Sequence, residues 1–175
     1  MLTVPIVLLA PGLVIAAGAL NSIVVKFLPM NSYDEALFAE MISNDALALL
    51  FGCIAAPFLE EMLFRGIILR SFLRQYSKTA SILGSATLFA IAHLNVYQLV
   101  TAFAVGIVAG WLYERTRSLW PCILLHASYN AFVTYSYELF AQMSGHSTML
   151  YALAFGLAIA SGLLLLRILM PSKAR

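Results

Sequence analysis

Long apolar stretches dominate this sequence, and their length decides what the chain can fold into. Six of them, at about 3–28, 45–69, 80–94, 96–113, 120–141 and 148–169, are separated by short polar breaks. A membrane-spanning helix needs roughly 20 mostly apolar residues. The third stretch is short for that, which predicts a helix that tilts or is partly covered by protein. Lipid offers no water to unpaired backbone groups, so each span must pair its own N–H and C=O groups. The expected fold is therefore all-α: a polytopic transmembrane bundle of about six spans. Only 10% of the residues are charged, against about a quarter in a soluble domain. The 62% hydrophobic content leaves no soluble alternative.

The chain reads as one domain over residues 1–175, with no internal repeat and no linker. A net charge of +2 without a basic run argues against a nucleic-acid partner. Cys53 and Cys122 stand singly in apolar segments, so neither a disulfide framework nor a CxxC metal site is expected. The N-terminus lacks the basic start of a signal peptide, and its apolar run is long enough to span, which predicts a retained helix. Three basic groups follow alternate spans: Arg70, Arg74 and Lys78; Arg115 and Arg117; Arg167, Lys173 and Arg175. They fall on one side, which the positive-inside rule makes cytoplasmic, together with both termini. The segment 29–44, opened by Pro29 and carrying Asp34, Glu35 and Glu40, is the longest connection and faces outward with Lys26.

Against this background "PFLEEMLFRGIILR", residues 57 to 70, is anomalous, because Glu60, Glu61 and Arg65 lie inside a span. A charge at that depth costs several kcal/mol unless it is paired or used. Glu61 and Arg65 are four apart and share a helix face, so they can pair. Glu60 points about 100° away and needs a partner from another helix. The third span offers Phe89 and His93, and the fifth offers His126 and Asn130, again four apart. Counted at ~1.5 Å per residue from the cytoplasmic ends, Glu60 and Asn130 lie about 15 Å deep, His93 about 20 Å and His126 about 9 Å. One cluster of carboxylate, two imidazoles and an amide is feasible.

Blander readings exist for each residue. Glu61–Arg65 is first of all a structural pair, and a lone His or Asn in a membrane helix is often interhelical glue. Trp111, Tyr113 and Trp120 sit at span ends and fit the interfacial aromatic belt. Pro121 suits the first turn of its helix, Gly106 and Gly110 suit close helix packing, and His146 falls in an outer loop. The convergence of four ionisable or amide groups at overlapping depth is the functional signal. Peptide hydrolysis needs a base for water and donors aimed at the oxyanion, and these residue types supply both. Two alternatives share the residues. Glu60, His93 and His126 could hold Zn²⁺ with water in the fourth position, although the HExxH spacing is absent. The cluster could also serve a proton relay, transporter or immunity protein.

The three motifs, EExxxR at Glu60, Glu61 and Arg65, FxxxH at Phe89 and His93, and HxxxN at His126 and Asn130, resemble those of the CPBP intramembrane proteases. That family includes CAAX prenyl endopeptidases and bacterial Abi-type proteins. "GWLYERTRSLWPCILLHASYN" adds to the likeness, which covers about residues 45–140. The resemblance implies a glutamic endopeptidase needing no cofactor. Glu60 and His93 would hold and activate water, His126 and Asn130 would stabilise the oxyanion, and Glu61 and Arg65 would support the site. It also implies a peptide or protein substrate with a membrane-associated segment, and a multi-pass protein of the bacterial plasma membrane. Longer members carry more helices before the first motif than the one seen here.

Overall fold

The computed structural model describes residues 2–41, 46–142 and 147–170. Seven helices account for nearly all of them: α1 (Thr3–Phe27), α2 (Ser32–Met41), α3 (Ala46–Phe72), α4 (Lys78–Ala92), α5 (Val96–Thr116), α6 (Trp120–Gln142) and α7 (Ser147–Leu169). The chain is a helical membrane bundle. Four stretches, α1, α3, α5 and Ala152–Leu169 within α7, are long and apolar enough to cross a bilayer. The third span, expected to be short, is the 15-residue α4. Large apolar side chains point outward along the bundle, including Leu59 at 64%, Ile67 at 64% and Leu163 at 62% exposure. Such a surface is stable only against lipid.

Two differences from the sequence reading have local causes. The 29–44 connection contains α2, which the Asn31 side chain starts by accepting from Tyr33 N and Asp34 N, both at 2.9 Å. Its acidic composition hid it from an apolar-span search. Tyr113, expected at the membrane interface, is buried in a core with Ile6, Leu69, Leu112, Cys122, Leu125 and Leu165. Trp120 and Tyr76 are exposed aromatics at that end. His146 lies outside the described residues.

Small residues let the helices approach. Gly12 of α1 sits against Ala158 of α7. A Cβ on Gly106 would come within 3.0 Å of the Ala86 backbone, and one on Gly110 within 3.1 Å of Ile82. The two glycines thus seat α5 on α4, as their spacing suggested. Helix ends are fixed by side chains: Ser77 Oγ accepts from Ala80 N at 3.3 Å to start α4. Asn95 Oδ1 accepts from Tyr97 N and Gln98 N to start α5. Between α4 and α5 the turn is only His93-Leu94-Asn95, and Leu94 takes the left-handed conformation, φ 51°. That turn sets His93 at the end of one helix beside Gln98 in the first turn of the next.

Candidate active site

The acidic motif lies on a helix that is not uniformly α. In α3, residues Phe51–Ala55 and Met62–Leu69 are wound as π-helix, with Ala56–Glu61 as α-helix between them. Pro57 accounts for the first. It has no N–H, and the Ala56 N–H goes to Phe51 O, so Gly52 O finds no donor five residues on. Asn130 of α6 fills the gap, donating from Nδ2 to Gly52 O at 2.7 Å. The second π segment is held in the same manner, since Ser85 Oγ of α4 donates to Phe64 O at 2.9 Å. Single-turn π segments recur at functional sites. Here they leave Pro57, Glu61, Phe64, Arg65 and Leu69 on the buried stripe of α3.

Glu61 and Arg65 form the centre of this stripe and are both fully buried. Arg65 Nη1 donates to Glu61 Oε1 at 2.9 Å, and Nη2 donates to Gly106 O at 3.2 Å. The guanidinium also lies 4.5 Å from the centre of the Phe89 ring. The expected pair is therefore present, with a backbone acceptor and an aromatic face as further partners. Glu61 Oε1 additionally meets His126 Nδ1 at 3.0 Å. An ionised carboxylate only accepts, so this contact places a proton on Nδ1 of His126. The Glu61 carboxylate thus orients His126 as well as neutralising Arg65.

Glu60 stands apart from that pair. Its side chain is about one-third exposed, and Oε2 lies 3.8 Å from His126 Nε2, too far for a direct hydrogen bond. Among the described residues no protein group hydrogen-bonds this buried oxygen. His93 Nδ1 meets Phe89 O at 2.8 Å. A carbonyl only accepts, so Nδ1–H donates, and in the neutral ring the lone pair is on Nε2. Both imidazoles stand edge-on to the Phe89 ring, at centroid distances of 4.8 Å and 5.5 Å. Phe89 is thus the apolar floor shared by Arg65, His93 and His126. Glu60 and His93 make no direct bond with each other.

His93, His126 and Asn130 line one cavity of about 80 Å³, with Phe89 and Val105 among its apolar walls. Gln98, Thr101 and Tyr129 complete its polar lining. The sequence reading missed these three. Tyr129 is i+3 from His126, on the face that also carries Asn130, and Gln98, Thr101, Ala102 and Val105 follow the 3, 4, 7 spacing of one helix face. Those spacings were the available signal. Thr101 Oγ1 donates to Gln98 O at 2.9 Å. Among the described residues no three His, Cys, Asp or Glu side chains converge as ligands of one metal ion.

Comparison with known proteins adds to this geometry. A family model described as type II CAAX prenyl endopeptidase Rce1-like matches residues 42–132, more than half of the chain. The chain is 31% identical over 94 residues to a Bacillus subtilis (strain 168) protein named "Putative membrane peptidase YdiL". The match takes in 54% of this chain and 38% of that relative, so the chain spans well under half of the relative's length. No solved structure matches.

Proposed function

Because the chain belongs to the type II CAAX prenyl endopeptidase Rce1-like family, we propose that it is an intramembrane endopeptidase that hydrolyses a peptide bond with water activated by Glu60. The observation that carries this reading is the Glu60 carboxylate: a buried oxygen with no protein hydrogen-bond partner among the described residues, 3.8 Å from Nε2 of His126, which itself lines the cavity with His93 and Asn130, although Glu60 is not part of that lining. A polar gap of that length is where a bridging water is to be sought.

In the proposed reaction the Nε2 lone pair of His93 holds the attacking water and Glu60 takes its proton. The water oxygen bonds to the carbonyl carbon, and the carbonyl oxygen becomes the oxyanion. Asn130 has two N–H groups on Nδ2; one is committed to Gly52 O and the other is left for the oxyanion. His126 donates from Nε2 when its ring carries both protons, with Glu61 as its counter-ion. Collapse breaks the C–N bond, and Glu60 returns the proton to the departing amine. Glu61 and Arg65 hold His126 and do not touch the reacting atoms. No step requires a metal or cofactor. The substrate is a peptide or protein with a membrane-associated segment, and both termini of the chain lie on the cytoplasmic side of the plasma membrane.

The test is mass spectrometry of peptides released from membrane-anchored candidate substrates by the purified protein and by its Glu60→Ala variant. Release that depends on Glu60 and survives removal of metal by a chelator is the expected result. Equal release by both proteins would remove the glutamate from the chemistry.

A further inference from the structure

An apolar groove runs between α4 and α5, apart from the candidate active site. Thr79, Ile82 and Leu83 of α4 and Ile107, Val108 and Trp111 of α5 line a space of about 320 Å³. Ligand pockets range over roughly 300–1,000 Å³. The sequence builds this one beside the glycine seam. Gly106 and Gly110 bring α5 onto Ala86 and Ile82. The larger residues that follow these contacts, Leu83, Ile107 and Trp111, stand as walls next to it. Leu83 is 42% exposed, so the groove opens outward toward lipid. None of its six residues lines the cavity of His93, His126 and Asn130.

Cations mark one end of this groove. Thr79 follows Lys78, the first residue of α4. Arg115 is four residues after Trp111 and shares its face of α5. Lys78 pairs with Glu114, and Arg115 Nε reaches the same carboxylate at 3.2 Å. Two cations thus meet one carboxylate, and the mouth keeps a net positive charge. Lys78 is 66% exposed and Glu114 only 5%, so the positive charge is what the mouth presents. Arg74 and Arg117, both exposed, add to it from the adjoining connections. Among the described residues, neither the Thr79 hydroxyl nor the Trp111 indole N–H hydrogen-bonds a protein group. The groove therefore combines a basic mouth, two uncommitted donors and an apolar trough.

That combination matches a molecule with an anionic head and an apolar chain. Basic pockets between transmembrane helices take the headgroups of anionic lipids, and clustered Lys and Arg set such an end at the cytoplasmic leaflet. We propose that the α4–α5 groove is a binding site for an anionic phospholipid. Its phosphate lies against Lys78 and Arg115, and Thr79 and Trp111 donate to phosphate or ester oxygens. One acyl chain runs along Ile82, Leu83, Ile107 and Val108. A zwitterionic lipid brings its own cation to a basic mouth and gains less there. A lipid without phosphate gains the chain contacts alone. The site does not depend on the protease reading, since it shares no residue with the cavity.

The chain has two tryptophans, so Trp120→Phe leaves Trp111 in the groove as the single fluorophore. The full chain with that change is reconstituted into phosphatidylcholine vesicles. Phosphatidylglycerol with brominated acyl chains, which quench indole on contact, is added in rising proportion. Brominated phosphatidylcholine and brominated diacylglycerol are the controls. Half-maximal quenching by phosphatidylglycerol is expected at a mole fraction at least fivefold below that of either control. One cation near an anionic surface is worth about fivefold in binding. Lys78→Gln and Arg115→Gln each leave Glu114 one cation, and each is expected to raise that mole fraction about two- to fivefold. Leu83→Phe, at the exposed rim, is expected to weaken quenching by phosphatidylglycerol without changing the melting temperature. Equal quenching by all three lipids overturns the site and leaves only ordinary surrounding lipid. A preference for phosphatidylglycerol unchanged in both charge variants overturns the headgroup contacts. Diacylglycerol as effective as phosphatidylglycerol makes the groove a chain site and overturns the anionic ligand. Protection of Trp111 from all three lipids, with a dimeric mass by light scattering, assigns the groove to a second copy of the chain and overturns the proposal.

Discussion

Replacing Glu61 by Gln separates the group that holds the site from Glu60, the group proposed to react. Glu61 is fully buried and its Oε1 receives both Arg65 Nη1 at 2.9 Å and His126 Nδ1 at 3.0 Å. The amide keeps an oxygen for one of these but loses the charge, leaving Arg65 with only Gly106 O and the Phe89 face. Removing one partner of a buried pair costs about 3–5 kcal/mol, mostly as the penalty of the stranded charge. We expect a loss near the lower figure, because Gln still accepts and Gly106 O still takes one guanidinium N–H. Adding Arg65→Met removes the stranded charge, and replacing a whole buried pair by apolar groups is often close to neutral. The double variant is thus expected to recover most of the stability, a coupling that a double-mutant cycle measures directly. Thermal melting in detergent gives the stabilities, and peptide release gives the activities. Glu60→Gln, whose carboxylate has no local partner, is expected to melt close to wild type and lose activity. Equal destabilisation by Glu60→Gln and Glu61→Gln, or a double variant no more stable than Glu61→Gln, would refute the division of roles.

Three further outcomes follow from the same geometry. Asn130→Ala is expected to lower kcat on the order of 10²–10³-fold with little change in KM, as loss of one oxyanion donor does; a folded variant cleaving at the wild-type rate would leave Asn130 only its bond to Gly52. Asn130→Ala also strands Gly52 O, at a cost of about 1 kcal/mol, and adding Pro57→Ala, which supplies an N–H five residues on, is expected to restore melting without restoring cleavage. Gly106→Ala, whose new Cβ would lie 2.9 Å from Ala86 Cβ, is expected to destabilise by about 1–3 kcal/mol, whereas Gly18→Ala, with nothing within 4 Å, is expected to leave the melting temperature unchanged.

What could be read in the sequence was whatever depends on periodicity and spacing. The apolar stretches gave six helices within a few residues, four of them long and apolar enough to span among the described residues, the i, i+4 spacing of Glu61 and Arg65 gave their ion pair, and Gly106 and Gly110 gave the seat of α5 on α4. Tyr113 was misread because its burial depends on where neighbouring helices fall, which a single strand of text does not contain, and α2 was missed because its acidic composition falls outside an apolar-span search. The π segments are the more instructive omission. Helical wheels assume 3.6 residues per turn, and α3 departs from this on both sides of its glutamates. Pro57 was visible, and its missing N–H could have been counted. What could not be counted was the donor that replaces it, because Asn130 lies 78 residues away on another helix. On the proposed mechanism Asn130 joins two functions in one amide. One N–H closes the backbone ladder of the helix that carries Glu60, and the other lies beside the cavity that Glu60 would serve. A residue chosen only as glue could satisfy Gly52 O from many rotamers. One that must also present a second N–H to the cavity has far less freedom, which is why Pro57→Ala can relieve the first duty of Asn130 but not the second.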